Sequence, residues 1–165
     1  MPRGEKSRIK ITDKGYNALV KRVFGVGKPV ITVGIHSKEG EEAKMEHDET
    51  QSTTVTLLDV ANYMEFGTDT VPARSFVRAW FDENEPRLRL MLVSSMRAVV
   101  AGKITKGQAL QRLGLAFVGE IQQRIEDGIP PPLDPKTIKR KGSSVPLIDT
   151  GQLRSGVTHR VEGMP

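Results

Sequence analysis

The stretch from Ala61 to Phe81, ANYMEFGTDTVPARSFVRAWF, constrains the fold more than any other part of the chain. Four of the eight aromatic residues, Phe66, Phe76, Trp80 and Phe81, lie between positions 66 and 81. Each buried ring removes roughly 150–250 Å² from water, so this segment is expected to organise the core. It reads as an amphipathic helix that breaks at Gly67, turns through Thr68 to Pro72 and resumes as an apolar segment.

The rest of the chain supplies the layers. Arg8 to Thr12 alternates with period two and predicts a short strand. Asp13 can cap a helix over roughly 14–24, and Gly25 and Gly27 stop it. Pro29 to His36 is β-branched and alternating, a strand in which Gly34 predicts a bulge or close approach. Residues 37–54 are polar and acidic without either period, and read as a flexible loop. A helix follows over 55–66, with Leu58, Ala61, Tyr63, Met64 and Phe66 toward the core.

Ser75 to Asp82 predicts a short helix, and Pro86 starts a new one to about Ala101. Thr105 with Gln108 makes a capping box. Leu110, Leu113, Phe117, Ile121 and Ile125 then continue a helical stripe to Asp127. Gly128 and the prolines at 130–132 and 135 end it. Residues 128–147 read as an extended, Pro-rich, basic arm. Asp149 or Thr150 can cap a last helical turn, and residues 156–161 read as a strand. The sum is one α+β domain over 1–165: a small, mostly antiparallel sheet packed against three to four helices, with a mobile tail at 1–6.

Composition narrows the function. With no cysteine, disulfide frameworks, thiolate zinc sites and thiol nucleophiles drop out. No run approaches the ~18 apolar residues of a membrane span, and Met1 to Glu5 lacks the apolar core of a signal peptide. A soluble, intracellularly made protein without membrane contact is expected. The net charge of +5 is blocked: residues 1–35 carry eight basic and two acidic groups, and residues 37–50 two basic and six acidic. Alternating blocks fit contacts between subunits at least as well as nucleic-acid binding.

Candidate chemistry is sparse, and neither a cofactor nor a metal is expected. Asp149-Thr150-Gly151 has the form of an aspartic-protease triplet, but a protease protomer builds its flap and floor after that point. A helix cap is the expected role. His36, Glu46, His47, Asp48 and Glu49 match no established ligand spacing and read as a solvated loop. Gly25-Val26-Gly27-Lys28 lacks full phosphate-loop spacing. Lys136, Lys139, Arg140 and Lys141 form a basic cluster that could face DNA, without aromatics for base stacking. Arg74 and Arg78 would share one face of a helix beside the aromatic cluster.

Two blocks resemble a known family. The first is Ala61-Asn62-Tyr63-Met64-Glu65-Phe66-Gly67-Thr68 followed by Val71 to Arg78. It resembles the pattern A-x-Y-x-E-F-G-T…P-A-R-x-F-[LV]-R of the tail-completion or neck proteins of long-tailed phages, the lambdoid tail-component family. The second, Pro146 to Ser155 and then Val157 to Val161, is similar to that family's P-L-x-D-T-G-x-L-x-x-S-[IV]-x-x-x-V ending. The resemblance covers about a third of the chain.

It implies a non-catalytic virion protein at the head–tail junction, made in the host cytoplasm and assembled as a ring of six or twelve copies. Its implied partners are itself, the head connector and the tail tube or tail terminator, with genomic DNA passing through. Glu65, Phe66, Arg74, Phe76, Arg78, Asp149 and Arg154 are then the candidate subunit-interface residues. A tail terminator and a small DNA-binding protein are the alternatives.

Overall fold

The computed structural model describes residues 14–25, 27–36, 55–142, 144–147 and 151–163. The tail at 1–6, the strand at 8–12, Asp13, the loop at 37–54 and Asp149 with Thr150 lie outside the described residues.

Helix α1 runs over Tyr16–Phe24 and strand β1 over Val30–Gly34. Helix α2 spans Leu57–Phe66, α3 Arg78–Val100 and α4 Lys106–Asp127. Helix α5 covers Pro135–Lys141, α6 Gln152–Ser155, and strand β2 closes the order at Thr158–Glu162. The class is α+β, as expected. β1 and β2 pair antiparallel, with Val30 opposite Glu162 and Gly34 opposite Thr158. Neither the bulge nor the close approach expected at Gly34 is seen: Gly34 ends an even register opposite Thr158, and a Cβ there would meet nothing within 4 Å.

Local chemistry sets the ends of α2 and α4. Thr56 accepts from the Asp59 N–H while the Asp59 carboxylate accepts from the Thr56 N–H, a reciprocal cap. Thr105 and Gln108 do the same for α4. α4 is the spine: both strands, α3 and α6 lean on it. β2 lies so close to α4 that a Cβ on Gly114 would collide with the His159 ring. His159 Nε2 is 2.7 Å from Gln111 Oε1.

A single cluster joins Leu57, Ala61, Phe76, Trp80, Leu88, Ile121, Ile125, Ile129, Leu147, Leu153 and Val157. Trp80 meets Phe117 at 5.5 Å between ring centroids, tilted by 57°, a favoured aromatic geometry. α3 and α4 are further clipped by the ion pairs Arg87–Glu120 and Arg124–Glu83.

Three expectations are corrected. α3 is one helix through Pro86, not two. Pro86 is exposed and forfeits one backbone bond, whereas Trp80, Leu88 and Val99 hold buried contacts on both sides of it. The 128–147 stretch is not an extended arm. Asp134 caps the Lys136 N–H and Pro135 takes the first helical position, so α5 forms, and Ile129 and Leu147 are buried. In α2, Tyr63 and Phe66 face outward, 46% and 64% exposed, while Leu57, Ala61 and Glu65 take the inner face.

Candidate functional site

The first of the two blocks singled out in the sequence forms one corner, between the end of α2 and the start of α3, and the second shares its core cluster through Leu147, Leu153 and Val157. Gly67 ends α2 with φ of 78°, a conformation that suits glycine. A Cβ there would sit 2.9 Å from the Ala73 nitrogen. Thr68 then shapes the turn: its hydroxyl accepts from the Val71 N–H at 3.0 Å, and its own N–H reaches the Val71 carbonyl. The Arg74 N–H returns to the Met64 carbonyl at 2.6 Å and closes the loop against α2.

Glu65 is the anchor of this corner. Its carboxylate accepts from the Ser75 hydroxyl at 2.6 Å and from the N–H groups of Phe76, Val77 and Arg78 at 2.9, 3.1 and 2.9 Å. Helix starts leave such N–H groups without intrahelical partners, and the helix dipole favours a negative charge there. Burial pushes the Glu65 pKa up, but the Ser75 hydroxyl and the three backbone N–H groups outweigh it, leaving the carboxyl below its ordinary value.

Arg74 is buried as well. Its Nε donates to the Pro131 carbonyl at 2.9 Å, and Nη2 reaches the Pro132 carbonyl at 3.4 Å. It thereby ties the corner to the proline run. Phe76 is 2% exposed. Glu65, Arg74 and Phe76, expected at a subunit interface, are thus all buried within the protomer. Their side chains are used inside the protomer, and Arg74 precedes α3 instead of sharing a helical face with Arg78.

The remaining candidates divide. Phe66 is exposed, and the Arg78 guanidinium lies 5.6 Å above its ring, within cation–π range. Arg154 is half-exposed and forms an ion pair with Glu126 at 2.8 Å. Asp149 falls outside the described residues. Lys136 and Lys139 are exposed on α5, and Arg140 and Lys141 complete that helix. His36 bonds Thr158 through Nδ1 and Thr32 through Nε2. Among the described residues no three His, Asp or Glu side chains converge as a metal site would require. No helix among them is long and apolar enough to cross a membrane.

Sequence reasoning missed the outer face of α3. Leu90 is 71% exposed, and Val93 and Val100 are nearly half exposed. The signal was present as Pro86, Leu90, Val93, Arg97 and Val100, spaced by four, three, four and three residues. Reading Pro86 as a helix start directed attention to the buried side. α1 adds Tyr16 and Phe24, both more than 70% exposed, and buries none of its nine residues. Beside the ion pairs, a groove of about 640 Å³ opens between α3 and α4. Its charged walls, Glu83 with Arg124 and Arg87 with Glu120, satisfy one another.

Compared with known proteins, the chain matches no family model, no curated sequence and no solved structure.

Proposed function

We propose that the protein is a structural, non-catalytic component of a phage head–tail junction: a neck or tail-completion subunit that assembles as a homo-oligomeric ring between the head connector and the tail. One observation carries the reading. The two sequence blocks on which the family resemblance rests are some seventy residues apart, yet they build one unit. Ala61 and Phe76 from the first pack in the same cluster as Leu147, Leu153 and Val157 from the second.

The surface agrees with assembly. Large apolar side chains on α1, α3 and at Phe66 stand in solvent, and contiguous exposed apolar surface marks contact sites. A ring needs two different patches per subunit, and Tyr16 and Phe24 on α1, which meets the C-terminal end of α3 through Arg22, and Phe66, beside Arg78 at its start, supply separate ones. The protein would then reside in the virion neck, with passing contact to genomic DNA. Lys136 and Lys139 favour that contact, and they keep a tail terminator or a DNA-binding protein as the second reading.

Mass spectrometry of purified particles, with imaging of the neck, tests the proposal. Detection at a fixed copy number and a ring density at the junction are expected. Absence from purified particles would overturn it. For the second reading, duplex binding with a steep salt slope that disappears when Lys136, Lys139, Arg140 and Lys141 become alanine is the expected signature.

A further inference from the structure

The outer face of α3 carries a pattern that specifies its own partner. Pro86, Leu90, Val93, Arg97 and Val100 recur at the four- and three-residue steps of a helix-pairing seam. The seam lies on the side of α3 away from buried Leu88 and Val99, and all five residues are exposed. One turn before it stands Asp82, also exposed. Among the described residues neither Asp82 nor Arg97 has an ion-pair partner. A helix with apolar residues on both faces is usually covered on both.

The order of the charges identifies what covers it. Asp82 and Arg97, and likewise Pro86 and Val93, are centred on one point, between Arg89 and Leu90. A second copy of α3 laid antiparallel across that point sets Asp82 opposite Arg97 of the second copy and Pro86 opposite its Val93, and it brings the two Leu90 side chains side by side next to the axis. Reversal restores the same contacts, as two-fold self-complementarity demands. An unrelated apolar partner would need no such symmetry.

We infer that the outer face of α3 is a two-fold antiparallel contact between two copies of this chain. The contact is isologous and so distinct from the head-to-tail contact of a ring; it stands or falls without the ring reading. One helix face offers less than the ~1,200 Å² of a tight interface, so the dimer forms weakly, at tens of micromolar on the order-of-magnitude scale of such contacts.

Sedimentation velocity on the full chain, from about 1 to 200 µM, tests this against the affinity scale of a weak complex. A monomer–dimer equilibrium is expected, weakened at least about tenfold by Leu90→Glu, a loss of about 1.4 kcal/mol. The circular dichroism spectrum should stay unchanged, because Leu90 is exposed. Asp82→Arg and Arg97→Asp should each weaken the dimer, and the double variant should recover it. The chain has no cysteine, so Leu90→Cys provides a lone thiol that should give a disulfide-linked dimer on mild oxidation.

A chain that stays monomeric throughout overturns the inference. So does self-association that survives Leu90→Glu, or a dimer in which Leu90→Cys does not cross-link. Rings abolished by Leu90→Glu with no dimer at any concentration would assign the face to head-to-tail assembly and overturn it as well. Loss of the ring with the dimer intact leaves the two-fold contact standing and removes only the ring.

Discussion

The corner around Glu65 and the outer face of α3 invert the usual assignment of residue types. At the corner, an acid and a base are buried and hydrogen-bonded within the protomer. On the outer face of α3, fifteen or so ångströms of apolar surface, on a helical rise of about 1.5 Å per residue, stand in water. The difference teaches what each region is for. Buried charge is tolerated only where hydrogen bonds replace water, so the corner is a rigid scaffold. Exposed leucine and valine at seam spacing have no intramolecular use among the described residues, so they mark a contact. A distinctive motif is therefore not the same as an exposed site.

That contrast can be broken by mutation. Trp80→Ala should be the most destabilising change, about 3–5 kcal/mol for removing a large buried ring, because Trp80 is 6% exposed and packed on Phe117. Urea unfolding of the isolated subunit measures it, and a loss under about 1 kcal/mol would move Trp80 from core to interface.

Glu65→Ala should follow, at about 3 kcal/mol, since it strands several N–H groups that a charged acceptor now satisfies. The effect should appear in unfolding free energy of the monomer. If it appeared only in assembly, the corner would be a contact after all. Gly67→Ala should cost about 1–3 kcal/mol by the strain of a left-handed residue, with an added close approach to Ala73.

The same carboxylate predicts a pH dependence. The folded-state pKa of Glu65 lies below its ordinary value near 4.5. Its contribution is therefore complete above the unfolded-state pKa and is lost as pH falls through the lower folded-state value. Wild type should lose stability faster than Glu65→Gln on acidification below about pH 4.5, the unfolded reference range for a glutamate. Equal slopes would remove the carboxylate from the account.

At the other end of the scale, Leu90→Ser and Phe66→Ala should change monomer stability by no more than about 0.5 kcal/mol, as surface substitutions do. A drop above about 1 kcal/mol would mean that these side chains are more enclosed than their exposure indicates.

Much of the fold was legible locally. The capping pairs Thr56–Asp59 and Thr105–Gln108 are written three residues apart, and the apolar steps of α4 mark its buried face from Leu113 to Ile125. The break at Gly67 and the strands near 30 and near 160 also followed from pattern, whereas the pairing of those two strands came from the structure. α5 was hidden because prolines at 130–132 suggested an extended chain, although Asp134-Pro135 is a helix start.

The Ala61–Phe81 stretch shows where sequence stopped. It determined that five aromatics crowd one segment and that a turn divides them. It could not say that Phe76 and Trp80 turn inward while Phe66 and Phe81 stay in water. Nor could it say that Glu65 crosses the turn to hold the start of α3. Helical and strand periods are set by neighbours a few residues apart, so the chain carries them on its face. Which of two apolar sides is buried depends on where α4 and the proline run lie in space, and only tertiary packing decided that.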